Sequence, residues 1–152
     1  MTVLALIRPD SWNFPLLLHI LGAAVFFGVV AGAVVLTLSA DRTPEPAAMR
    51  RLAFRSMLLA GLPAYIVMRG GAEWMYSKEF PNVDSDPTWI GIGYSTADGG
   101  LLLALIATVL AWRASRRGAA GPGGLGRAVV GLSAVLLVAY AVAIWAMTTK
   151  PD

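Results

Sequence analysis

Residues 14–39 read FPLLLHILGAAVFFGVVAGAVVLTLS, an apolar run without a single Asp, Glu, Lys or Arg. A helix of about 25 residues is roughly 38 Å long, enough to cross the hydrocarbon core of a bilayer with some tilt. A helix that is apolar all round offers no face suited to water. This run therefore predicts a transmembrane helix.

Three further apolar runs predict spans at about 52–76, 95–112 and 128–147. Of the 152 residues, 57% are hydrophobic and only 14% are charged, whereas a soluble domain usually has about 25% charged residues. The sequence predicts an all-α fold, a bundle of four transmembrane helices that forms one domain over residues 1–152.

The composition also excludes several classes of function. The chain has no cysteine, which rules out disulfides, thiolate catalysis, iron–sulfur clusters and Cys-ligated zinc within it. Its net charge of +3 comes from basic residues in short loops between apolar runs, without the aromatic interleaving of nucleic-acid binders. No hydrolase triad is recognisable. We therefore predict no catalytic residue and no nucleic-acid partner.

The basic residues lie mostly at one end of the predicted bundle. Eight of the twelve flank or fill the first and third loops: Arg42, Arg50, Arg51, Arg55, Arg113, Arg116, Arg117 and Arg127. By the positive-inside rule this end is cytoplasmic. Both termini, and a predicted acidic loop over residues 77–94, then face outward.

Four ionisable side chains are predicted to share one layer near the outer ends of the helices: His19, Arg69, Glu73 and Asp98. Arg69 and Glu73 are one helical turn apart, and Asp98 falls in the first turn of the predicted third span. Charges at this depth need partners. One interpretation is a structural network, in which Arg69 pairs with an acid and His19 bonds a carboxylate or a backbone carbonyl. The alternative is an outward pocket that binds a ligand or ion or relays protons.

Metal and haem chemistry are weaker alternatives. One histidine cannot supply bis-histidine haem ligation, although His–Met ligation or a histidine pair across a dimer is chemically feasible. His19, Glu73 and Asp98 have ligand types suited to zinc, but their spacing is no known motif. We therefore predict no cofactor and no metal.

Three local features predict helix packing and lipid contacts. Ala24, Gly28 and Gly32 recur every four residues, a stripe that favours close approach of another helix, within the chain or in a second copy. Pro63 in the second span predicts a kink. The pairs Arg50-Arg51 and Arg116-Arg117 suggest contacts with anionic lipid head groups.

The sequence also resembles a group of small four-span membrane proteins of high-GC bacteria that have no established activity. The similar stretches are LHILGA at 18–23 with Phe27-Gly28, RGGAEW at 69–74, WIGIG at 89–93 and DGG at 98–100. The resemblance covers most of the chain and implies a location in the plasma membrane. The chain is more distantly similar to four-span copper-resistance and cytochrome-type domains, whose extra histidines it lacks.

These observations predict a non-enzymatic multi-pass protein, an accessory or scaffold subunit that joins a homo-oligomer or a larger membrane complex. A small transporter or an ion- or proton-conducting protein is the alternative. A haem- or metal-binding redox protein is a third.

Overall fold

The computed structural model describes residues 10–80, 87–116 and 123–150, and these residues form helices without any strand. Five α-helices account for most of them: α1 Asn13–Ser39, α2 Pro46–Ser56, α3 Leu62–Glu79, α4 Thr88–Arg116 and α5 Gly123–Thr149. A π turn joins α2 to α3, so these two make one long rod. Short 3-10 turns lie at Asp10–Trp12 and Ala40–Arg42.

Four helical units are long and apolar enough to cross a membrane: Asn13–Arg42, Pro46–Glu79, Thr88–Arg116 and Gly123–Thr149. This confirms the predicted all-α fold with four apolar helices. α1 packs against the α2–α3 rod and against α5, while α4 packs against α5 and α2. The rods thus form a closed ring in which sequence neighbours run antiparallel. We call the end that holds His19, Arg69 and Asp98 the cluster end, and the opposite end, with Arg50 and Arg113, the arginine end.

The outer surface of the bundle is as apolar as its core. Leu59, Ile66 and Val138 are each at least 65% exposed, while Phe26 and Leu136 are 1% exposed inside the bundle. Large apolar patches are rare on soluble proteins, because exposed apolar surface is unfavourable in water. The same surface is compatible with the apolar lipid chains of a membrane.

α1 and α3 touch through their backbones at two glycines. A Cβ atom on Gly22 would lie 2.5 Å from the Met68 nitrogen, and one on Gly71 would lie 2.6 Å from the His19 nitrogen. Only glycine fits there. This reciprocal contact fixes the register of α1 on α3 and holds His19 beside Met68.

The Ala24, Gly28 and Gly32 stripe makes no such contact within the described part of the chain. Nothing there lies within 4 Å of a Cβ built on Gly28 or Gly32, and Ala24 is exposed. The close contact uses the neighbouring face of α1, at Gly22. The predicted use of the stripe within the chain is therefore not seen among the described residues, and its contact with a second copy stays a prediction.

The third span starts earlier than predicted. Residues 88–94, predicted as loop, belong to α4, and residues 77–79 belong to α3; the acidic stretch 81–86 lies outside the described residues. Buried residues recur at helical spacing from the start of α4: Ile90, Gly93, Ala97, Gly100 and Ala104. Because these side chains are mostly small, α4 can pack closely on α5 from its first turn.

A π turn directly precedes the segment of Pro63, the residue at which the sequence predicts a kink. Residues Met57–Gly61 adopt this wider helix, and the Leu62 N–H donates to the Met57 carbonyl. Proline has no N–H to donate and its ring crowds the preceding turn. The π turn accommodates both effects without ending the rod.

Candidate functional site

Arg69 lies between α3 and α4 at the cluster end. Its Nη2 atom is 3.1 Å from Glu73 Oε1 on the same helix and 3.4 Å from Asp98 Oδ1 on α4. The Arg69 side chain is 27% exposed, whereas Glu73 and Asp98 are 49% and 66% exposed. One partly buried cation is thus held by two shallower acids from different helices.

Tyr94 completes this group from α4. Its ring centroid lies 4.4 Å from the Arg69 guanidinium carbon, which is cation–π geometry. Its hydroxyl donates to Glu73 Oε2 at 3.1 Å. Glu73 therefore has partners on both helices, an ion pair with Arg69 on α3 and a hydrogen bond from Tyr94 on α4. We call Arg69, Glu73, Tyr94 and Asp98 the polar cluster.

Helical spacing explains how these side chains meet. Arg69 and Glu73 lie one turn apart on α3, as do Tyr94 and Asp98 on α4, so each pair shares a face. At this end α3 packs mainly on α1 and α4 mainly on α5, and the two helices barely touch each other. Long polar side chains bridge the gap that remains. Tyr65, one turn deeper than Arg69, also crosses it and donates to the Ala97 carbonyl at 3.1 Å.

His19 does not join the polar cluster. Its Nδ1 atom is 3.0 Å from the Met68 carbonyl oxygen, to which it can donate. It contacts α3 from the α1 side, whereas the polar cluster lies on the α4 side. Of the two hydrogen-bond partners predicted for His19, the structure shows the backbone carbonyl. Within the described residues, no group of three or more His, Asp and Glu side chains could hold a metal ion.

The bundle is filled beneath the polar cluster. Phe26 stacks edge-on against Tyr65 at 5.7 Å and tilts against Tyr140 at 5.2 Å. All three rings are buried. These aromatic side chains occupy the centre of the bundle between the polar cluster and the arginine end.

Tyr65 and Tyr94 are not among the site residues predicted from the sequence, although the sequence carries a signal for both. Tyr65 precedes Arg69 by one turn, and Tyr94 precedes Asp98 by one turn. The turn-rich composition of residues 77–94 predicts a loop, and a loop gives Tyr94 no fixed position relative to Asp98. The small-residue spacing of Gly93, Ala97 and Gly100 would have extended the helix back through it.

Arg50, whose position in the sequence suggests contact with lipid head groups, is buried instead. It is 5% exposed, and its Nη2 atom lies 2.9 Å from Asp41 Oδ1. Arg50 thus ties α2 to the turn that follows α1. Arg51 is exposed, and Arg117 lies outside the described residues.

Comparison of the chain with protein-family models, with curated proteins and with solved structures finds no match.

Proposed function

We propose that this chain is a non-enzymatic multi-pass protein of the bacterial plasma membrane, an accessory or scaffold subunit whose polar cluster is an interhelical clasp. The pairing of Arg69 with acids from both α3 and α4 is the observation that supports this most directly. An arginine that binds a ligand must direct the N–H donors of its own guanidinium at that ligand. Here the guanidinium is already engaged by two carboxylates and the Tyr94 ring.

The location and orientation follow from charge. Six exposed arginines lie at the arginine end on described helices or turns: Arg42, Arg51, Arg55, Arg113, Arg116 and Arg127. With lipid as solvent, this asymmetry favours a cytoplasmic arginine end and an external cluster end. Both termini are then external.

A scaffold subunit needs a face for its partner, and α1 has one. Ala24 and Gly28 are exposed, and nothing in the described part of the chain lies within 4 Å of a Cβ built on Gly28 or Gly32. Small residues at this spacing allow a second transmembrane helix to approach closely. The partner is either a second copy of this chain or a helix of a larger membrane complex.

Mild detergent extraction followed by native mass spectrometry tests this role. We expect a species heavier than one chain, and we expect the double variant Gly28→Leu/Gly32→Leu to dissociate it. The matched control is Gly70→Leu, since Gly70 is also a surface glycine without a neighbour within 4 Å. A single chain under all gentle conditions would contradict the proposal.

A small ion- or proton-conducting protein is the second candidate. It is favoured by the sparse contact of α3 with α4 beside the exposed carboxylates of Glu73 and Asp98. Flux into proteoliposomes distinguishes the two. If the chain is a scaffold, the ion flux into proteoliposomes should equal that into protein-free liposomes. A higher flux that Asp98→Asn abolishes would establish conduction.

A further inference from the structure

A cleft opens between α2 and α4 at the arginine end, far from the polar cluster. Its volume is about 360 Å³, and its lining residues are Arg51, Phe54, Arg55, Trp112, Ser115 and Arg116. Three arginines thus line one cavity, and no Asp or Glu is among its lining residues. The Arg116 guanidinium carbon also lies 4.7 Å from the Trp112 ring centroid.

Arg51, Arg55 and Arg116 form no ion pair within the described residues, where the Asp41 carboxylate pairs with Arg50 instead. Arg51 and Arg55 are one turn apart on α2, a spacing at which like charges repel. Arg116 lies at the negative end of the α4 helix dipole, but that partial charge cannot offset three cations. An anion bound in the cleft would offset the charge of the three arginines.

We propose that this cleft binds the phosphate of an anionic lipid head group through Arg51, Arg55 and Arg116. Guanidinium groups suit phosphate oxygens, because they can donate two parallel hydrogen bonds to them. The proposal depends on membrane insertion and is independent of the scaffold role.

The position of the cleft favours a lipid over a soluble phosphate. Trp112 lies one turn from Arg116 toward the middle of its span, at a depth where tryptophan commonly anchors in the membrane interface. Beyond the cleft, Leu58, Leu59 and Val109 are exposed on α4 and on the α2–α3 rod. A phosphate held by the arginines would therefore leave its acyl chains along an apolar surface.

Native mass spectrometry of the full chain in micelles with equal phosphatidylglycerol and phosphatidylcholine tests this site. We expect the wild type to retain phosphatidylglycerol preferentially. The triple variant Arg51→Gln/Arg55→Gln/Arg116→Gln should bind it at least about tenfold more weakly, because the loss of even one hydrogen bond to a charged group costs about a tenfold factor.

The control is Arg42→Gln/Arg113→Gln/Arg127→Gln, which removes the same charge from the same end without touching the cleft lining. General attraction to a charged surface would weaken both triple variants equally, and that result would overturn the proposal. Unchanged lipid retention in the cleft variant would overturn it as well. Inorganic phosphate that binds the lipid-free wild type but not the cleft variant would assign the cleft to a soluble anion instead. Equal thermal unfolding of the two variants excludes misfolding as the cause of a difference.

Discussion

The guanidinium of Arg69 and the carboxylate of Asp98 form an ion pair of 3.4 Å across the gap between α3 and α4. Arg69→Ala removes this link and leaves two acids without their cation. The loss should lie between that of an exposed pair and that of a buried one, about 1–2 kcal/mol in the free energy of unfolding. Thermal unfolding in detergent measures it. Arg113→Ala is the control, because that exposed arginine forms no ion pair within the described residues; equal melting temperatures would count against the clasp.

Two neighbouring glycines of α3, Gly70 and Gly71, should respond oppositely to replacement by alanine. Gly71→Ala places a Cβ against the His19 backbone, whereas Gly70→Ala meets open space. We expect Gly71→Ala to destabilise the fold by about 1–3 kcal/mol, because the two helices must separate. Gly70→Ala should be neutral or stabilising by up to about 1 kcal/mol, since alanine favours helix. Thermal unfolding of both variants checks the prediction, and similar losses at the two positions would show that α1 and α3 do not touch there.

The same contrast holds between Gly22 and Gly28 on α1. The sequence stripe pointed to Gly28 as a packing position, but the structure uses Gly22, beside Met68. Both glycines lie in one apolar helix, and the helical period alone gives no reason to prefer either face. The choice depends on which face of α1 meets α3, and that is set by the tertiary fold.

Two tyrosines in the core should respond differently to loss of the hydroxyl. The Tyr65 hydroxyl donates to Ala97 O, whereas the buried Tyr140 hydroxyl has no hydrogen-bond partner among the described residues. Tyr65→Phe should cost about 1 kcal/mol and leave the carbonyl without this donor. Tyr140→Phe should be neutral or stabilising, because it removes an unsatisfied polar group. Chemical or thermal unfolding in detergent compares them, and a larger loss for Tyr140→Phe would reveal a partner for its hydroxyl.

Much of the architecture could be predicted from the sequence. Four apolar runs were enough to predict the four helices, because lipid demands a long apolar segment with its backbone bonds satisfied internally. The spacing of Arg69 and Glu73 placed them on one face. Which helix supplies their partners was harder to predict. By helix position, His19 and Asp98 both lie at about the depth of Arg69. Only Asp98 lies on the side of α3 toward which the Arg69 side chain points.

Arg50 shows a second limit of sequence reasoning. Adjacent arginines at a membrane boundary look alike in sequence, but consecutive helical residues point about 100° apart.

Arg50→Ala removes a buried cation from Asp41 and should destabilise the protein by about 2–3 kcal/mol. Arg42→Ala, at an exposed position on the same end, should change the free energy of unfolding by less than about 0.5 kcal/mol. Thermal unfolding of the two variants tests this, and equal stability would remove the structural role of Arg50.

Membrane orientation can be tested with single cysteines, because the native chain has none. Ser77 is exposed near the cluster end of α3, and Ala48 is exposed in the first turn of α2 at the arginine end. If the arginine end is cytoplasmic, Ser77→Cys reacts with an impermeant maleimide on intact cells, and Ala48→Cys reacts only after permeabilisation. The reverse pattern would invert the topology. It would also place the Arg51, Arg55 and Arg116 cleft in the external leaflet, where fewer anionic lipids are expected to meet it.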